Sequence, residues 1–438
     1  MTPSPEIIGI IGLIVMLIAL FLGVHIGVVL GGVGLTGCIV LMGFTKGVSL
    51  LATTAYYTTS DYGFIALPMF LMMGELAFQG GIGSLLYAAV SKWMGHHYGG
   101  LPMATTVANA LFATIAGDSL SATATFGKIA VPEMLRYRCD QSFSCGVVAS
   151  AGCLAVLIPP SGVMILYCIF TSVSLGKLMI AGFIPGIMSA VIYLTYIYTK
   201  VRLNPRLAPR SQGAPTWKER FMAIRWLIPI AIVVVVMFGG IYTGIFSPVE
   251  AGAIGAFTVL IVILARKTLP LSRFKKSISN VARTTTMIFL VIIGAMIFSK
   301  FLVVAGIPDM MLNFITSLNV SPIMILIIIL IIYLVLGTFM GVVAMLAVTL
   351  PIFFPLSQGL GFEGVWFGII IILMCEIAAL TPPVGLNVYV LKAVVGDLVS
   401  IGTIFRGVLP FFVLNLIIVV ILISFPKISL WLPSMMFK

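Results

Sequence analysis

The chain has 438 residues, of which 61% are hydrophobic and 8% charged, a balance that excludes a soluble domain and points to a polytopic α-helical membrane protein. Its apolar residues run continuously for about twenty positions at a time without inside/outside alternation, which excludes a transmembrane β-barrel. The formal charge of +12 would suit nucleic acid, but Lys200, Arg202, Arg206, Arg210, Lys218, Arg220 and Arg225 fall in one loop, and Arg266, Lys267, Arg273, Lys275, Lys276 and Arg283 in another. That is the placement expected of cytoplasmic loops.

In chain order, residues 7–22 and 24–44 read as two spans joined tightly at His25, which is expected at the membrane interface. The first span follows Glu6 with no basic leader and runs into a second apolar stretch, so it reads as a retained helix and not a cleaved signal. Residues 46–60 form a Tyr-rich amphipathic stretch, and a third span begins at Phe64 and ends near Gly80-Gly81-Ile82. An arm carrying Lys92, His96 and His97 follows.

Residues 101–136 do not read as two ordinary spans. The small polar patch Ala116-Gly117-Asp118-Ser119-Leu120-Ser121 separates two short apolar segments, and predicts a re-entrant hairpin whose tip is enclosed by protein or water. The next span, 143–172, is interrupted at Leu157-Ile158-Pro159-Pro160-Ser161-Gly162, where two prolines remove backbone donors. A span at 178–199 and the basic loop at 201–225 complete the first half.

The pattern then begins again. Spans at 226–243 and 249–265 lead to a basic amphipathic arm at 266–282, a span at 284–303, and a second hairpin at 321–356 with its tip at Leu336-Gly337-Thr338-Phe339-Met340-Gly341. A second broken helix over 365–395 carries Thr381-Pro382-Pro383-Val384-Gly385-Leu386-Asn387, and a last span covers 404–424. Gly74, Pro132 and Pro159-Pro160 recur as Gly294, Pro351 and Pro382-Pro383 at a nearly constant offset of about 220 residues. The expectation is therefore two repeats, 1–200 and 226–438, each of five crossings and a hairpin. An odd count makes the second copy inverted, with both termini outside and the basic loops inside. The six cysteines fall mostly in apolar runs without metal spacing and read as small core residues.

Ala66-Leu67-Pro68-Met69-Phe70 through Gly80-Gly81-Ile82, Ala151-Gly152 with Leu157 to Ser161, Tyr242 to Glu250, and Glu376 with Thr381 to Asn387 occur in that order. On these residues the chain resembles, from end to end, the large (DctM-type) membrane subunit of TRAP (tripartite ATP-independent periplasmic) transporters. The resemblance implies an elevator-type secondary transporter of the ion transporter superfamily, in the bacterial inner membrane, that takes up an organic acid such as a C4-dicarboxylate or sialic acid. Sodium ions would be the coupling ions and no cofactor would be needed. It also implies two partners, a separate small four-helix membrane subunit and a periplasmic substrate-binding protein. Two positions depart from the family's usual pattern: Gly341 stands where an acidic residue is often found, and Asp118 where small neutral residues are commoner.

The expected substrate and ion site draws on Gly117, Asp118, Ser119 and Ser121 at the first tip and on Pro159, Pro160 and Ser161 at the first break. The second half would supply Gly337, Thr338, Met340 and Gly341, with Thr381, Pro382, Pro383, Gly385 and Asn387. Hydroxyls, an amide and carbonyls freed by the prolines suit sodium near Ser119 and Pro159 and again near Thr338, Thr381 and Pro382. Helix N-termini at the tips suit an anionic carboxylate. Glu75, Glu250 and Glu376 are expected chiefly to hold the scaffold. An ATP-driven pump is disfavoured by the lack of a GxxxxGK[ST] loop, and no HExxH or nucleophile beside a histidine suggests an enzyme. The competing function is a stand-alone sodium- or proton-coupled carrier of dicarboxylates or another oxyanion, and more remotely a channel.

Overall fold

The computed structural model describes residues 4–210, 215–317 and 320–436, so the stretch 211–214 within the basic loop lies outside the described residues. Every regular element among them is helical. α1 (Pro5–Phe21) and α2 (Ile26–Met42) turn at Gly23, whose φ is +81°. α3 (Phe44–Ser60) ends at Asp61, whose carboxylate accepts from Gly63 N at 2.7 Å and so starts a new direction for α4 (Ala66–Gln79). α5 (Ile82–Met94) leads to α6 (Gly100–Ala116) and α7 (Ser119–Arg136), the expected hairpin. α8 (Gln141–Gly152), α9 (Leu154–Leu157) and α10 (Gly162–Thr171) form the broken span, bent by 44°. α11 (Leu175–Leu203) closes the half.

α12 (Trp217–Ile224) begins at a capping box in which Thr216 and Glu219 satisfy each other's backbone N–H. α13 (Ile228–Tyr242) precedes α14 (Pro248–Ala265), which Ser247 and Glu250 start in the same way. Glu250 thus has the scaffold role expected of it. Then come α15 (Leu271–Val304), α16 (Ile307–Ser317), the second hairpin α17 (Pro322–Gly337) and α18 (Val342–Gly359), the broken pair α19 (Gly364–Leu380) and α20 (Leu386–Val395), α21 (Ile401–Ser424) and α22 (Lys427–Met436). Seven described helices are long and apolar enough to cross a membrane, or eight with the bent pair.

The order of elements agrees with the sequence reading except in three places. The basic arm at 266–282 and the span after it are one helix, α15, because no proline and no glycine before Gly294 interrupts the run. At 34 residues it is roughly 50 Å long, more than a bilayer core of about 30 Å. α16 and α22 were not anticipated. Both are short, and α16 packs Ile307 into the core with α1, α2 and α15.

Close backbone contacts join the halves. Gly34 of α2 lies against the backbone of Phe298 on α15, where an added Cβ would come within 2.8 Å of its nitrogen. Gly146 of α8 and Gly407 of α21 face each other so closely that neither has room for a Cβ. Without a strong hydrophobic drive between helices in lipid, such small-residue seams are what packing relies on. All six cysteines are buried and unpaired.

Candidate functional site

At the first hairpin tip Gly117 ends α6 with φ +63°, and Asp118 starts α7 by accepting from Ser121 N at 2.8 Å through Oδ2. The tip is fastened to the first break: Gly162 N donates to Gly117 O at 2.9 Å, and a Cβ on Gly117 would press on the Pro160 carbonyl at 3.0 Å. Ser161 caps α10 through Met164 N at 3.4 Å. The second tip is built likewise. Gly337 packs on Ala378 of α19 with no room for a side chain, the Thr338 hydroxyl donates to Val335 O at 2.7 Å, and Gly341 begins α18 with no side-chain cap. The Pro159-Pro160 and Pro382-Pro383 bonds are both cis.

The two halves meet at Glu376. This carboxylate is 0% exposed, accepts from the Ser119 hydroxyl at 3.3 Å through Oε1, and has no partner at Oε2. Behind it the Asn387 amide donates to Cys153 Sγ at 3.2 Å, leaving its own buried oxygen unpartnered. In front lies a cavity of about 630 Å³ bounded by α4, the first tip, α15, the start of α18 and α19. Its acidic lining is Glu75, Asp118 and Glu376, with His25 exposed among the lining residues and no lysine or arginine among them. Glu75 Oε1 accepts from Asn280 at 2.9 Å and from Gln79 at 3.0 Å.

Of the expected site residues, Gly117, Asp118, Ser119, Ser121 and Gly341 line this cavity. Ser161 and Gly385 stand one position before the lining residues Gly162 and Leu386. Pro159, Pro160, Gly337, Thr338 and Asn387 are buried outside the lining, and Met340 is half-buried. Thr381 turns its hydroxyl back to Ile377 O at 2.7 Å, and Pro382 and Pro383 are exposed away from the cavity. The two breaks are therefore not equivalent in this arrangement. Sequence reasoning placed Glu376 and Glu75 in the scaffold, and did not single out Asn280. The signals for Glu376 were its place in the motif with Thr381 to Asn387 and a lone carboxylate inside the apolar run of α19.

Hairpin tips from both halves, docked on broken helices around a polar-tipped cavity, define a multi-pass membrane transporter. The chain belongs to the family described as Tripartite ATP-independent periplasmic transporter, DctM component, whose model matches residues 13–428. It is 34% identical to the C4-dicarboxylate TRAP transporter large permease protein DctM of Pseudomonas aeruginosa, covering 92% of this chain and 93% of that one. It is 28% identical to the sialic acid TRAP transporter large permease protein SiaM of Vibrio cholerae, over 95% and 96%. With the ectoine TRAP transporter large permease protein TeaC of Halomonas elongata it shares 30%, over 85% and 87%. The solved Alcanivorax borkumensis YdaH transporter has a similar fold, with a TM-score of 0.63 at 13% identity, over 98% of this chain and 100% of that one.

Proposed function

We propose that the chain is the large permease subunit of a sodium-coupled uptake system for a small organic acid in the bacterial inner membrane. It would work with a separate small membrane subunit and a periplasmic binding protein that delivers the cargo. The observation that carries this reading is the cavity itself, where the tip of one half reaches the broken helix of the other through Ser119 and Glu376.

The cargo carboxylate belongs at the open N–H groups of α18, whose first residues line the cavity without a side-chain cap. Sodium belongs near Ser119 and Pro159, and near Thr338, Thr381 and Pro382, with Asp118 supplying negative charge to the ion and substrate region. Filling these sites couples cargo to the ion gradient. Counting crossings from the basic loops puts both termini outside and His25, Glu75, Asn280 and Thr284 on the cytoplasmic side. The second repeat is then inverted relative to the first, and the cavity opens inward. The hairpins and broken helices form the moving body of an elevator, against a frame of α2, α4, α14 and α15.

Uptake into proteoliposomes tests the reading. Accumulation should require a sodium gradient, the small subunit and the binding protein together. Uptake without the binding protein supports the stand-alone carrier, and uptake indifferent to sodium removes the coupling.

A further inference from the structure

The cavity is charged in one sense only. Glu75, Asp118 and Glu376 line it, no lysine or arginine among the described residues does, and the described ion pairs, Lys92–Glu219, Arg136–Glu133 and Lys392–Asp397, all lie elsewhere. Glu75 and Asp118 have hydrogen-bond donors at one oxygen each. Glu376 likewise has the Ser119 hydroxyl at Oε1, but the residue, which lines the cavity, is 0% exposed and its Oε2 is buried without a partner. A buried carboxylate oxygen left bare calls for a positive or donating group. The same cavity meets the uncapped N-terminus of α18, where Val342, Val343 and Ala344 present the helix's unsatisfied N–H groups. The lining also includes the apolar Leu67, Leu71, Val163 and Leu166.

We infer that the cargo is a zwitterion, whose carboxylate sits at the α18 N-terminus and whose alkylated or delocalised cation faces Glu376 and Glu75. This rests on the cavity being the transport site and narrows the organic acid proposed above. A dicarboxylate would satisfy the α18 pole and set its second charge against the acids. A betaine-type solute satisfies both poles, and its apolar substituents suit the apolar part of the lining.

The test is ligand protection of the purified full chain in lipid nanodiscs at saturating sodium, with glycine betaine and succinate as probes, read as a shift in melting temperature. Glycine betaine should raise the wild-type melting temperature at concentrations where succinate does not. Glu376→Gln and Glu75→Gln keep side-chain size and should raise the half-effect concentration of glycine betaine by on the order of tenfold. Succinate protecting the wild type as well as glycine betaine overturns the inference, as does a wild type that answers to neither probe, or variants that respond unchanged. A fourth protein separates this from the site itself. Ala344→Phe fills the α18 end and should abolish proteoliposome uptake, and if it transports normally the cavity is not the transport site.

Discussion

Asp118 has two roles that substitution can separate. As N-cap of α7 it accepts from Ser121 N at 2.8 Å, and as a half-buried lining residue it brings charge to the ion region. Asn caps as well as Asp, so Asp118→Asn should cost only a few tenths of a kcal/mol of stability from the lost charge at the helix start. Ala removes the cap and should cost about 1 kcal/mol. The charge acts differently on sodium. An ion within about 5 Å gains roughly 1 kcal/mol in a water-like surrounding and about 3 kcal/mol at an effective dielectric of about 20. Half-burial favours the lower figure, so Asp118→Asn should raise the half-saturating sodium concentration about fivefold. The assay is sodium-dependent uptake in proteoliposomes beside thermal melts of the same preparations. The reasoning fails if Asp118→Asn keeps the wild-type sodium dependence, or if its uptake falls only in step with lost folded protein.

Three further outcomes follow from the packing and the cytoplasmic surface. Gly146→Val drives a side chain into the Gly407 backbone and should cost at least about 1–3 kcal/mol, read as loss of folded protein by size-exclusion chromatography. Tyr193→Phe leaves the buried Asn415 oxygen, now reached by the Tyr193 hydroxyl at 2.7 Å, without its donor; about 1–3 kcal/mol should be lost in denaturant unfolding. Burial and then the neighbouring His97, Arg220 and Arg210 charges hold the His96 imidazole below the ordinary 6.5. A lowered histidine favours the neutral form in the folded state, so its contribution is present above 6.5 and declines as pH falls. The protection factors of the α12 amides, which divide out the fall of intrinsic exchange with pH, should therefore decrease on acidification, because Arg220 joins α12 to His96 at 3.2 Å, and His96→Gln should flatten that response.

Much of the architecture is local and therefore legible. Diprolines break helices wherever they stand, and Gly117 and Asp118 carry the turn and cap that a hairpin tip requires, so both hairpins and both breaks could be placed from residues alone. The reading of a repeat rests on landmarks of different chemistry that keep one spacing. Contacts between distant segments were not legible. Ser119 and Glu376 are 257 positions apart, and only packing the first tip against α19 turns a scaffold carboxylate into a cavity wall. The pseudo-symmetry also misled, since it treats the two diprolines alike while Pro159 and Pro160 are buried and Pro382 and Pro383 exposed. The fused α15 shows the same limit: its polarity changes along the run, but no residue there stops a helix.

The account turns on the first hairpin tip lining a cavity that is presented to each side of the membrane in turn. Ser121→Cys places a thiol on that lining, and the six native cysteines are buried, so a membrane-impermeant maleimide can report which face reaches it. The account predicts labelling from the cytoplasmic face at rest and from the periplasmic face when sodium, cargo and binding protein drive transport. Labelling from one face under every condition would contradict it.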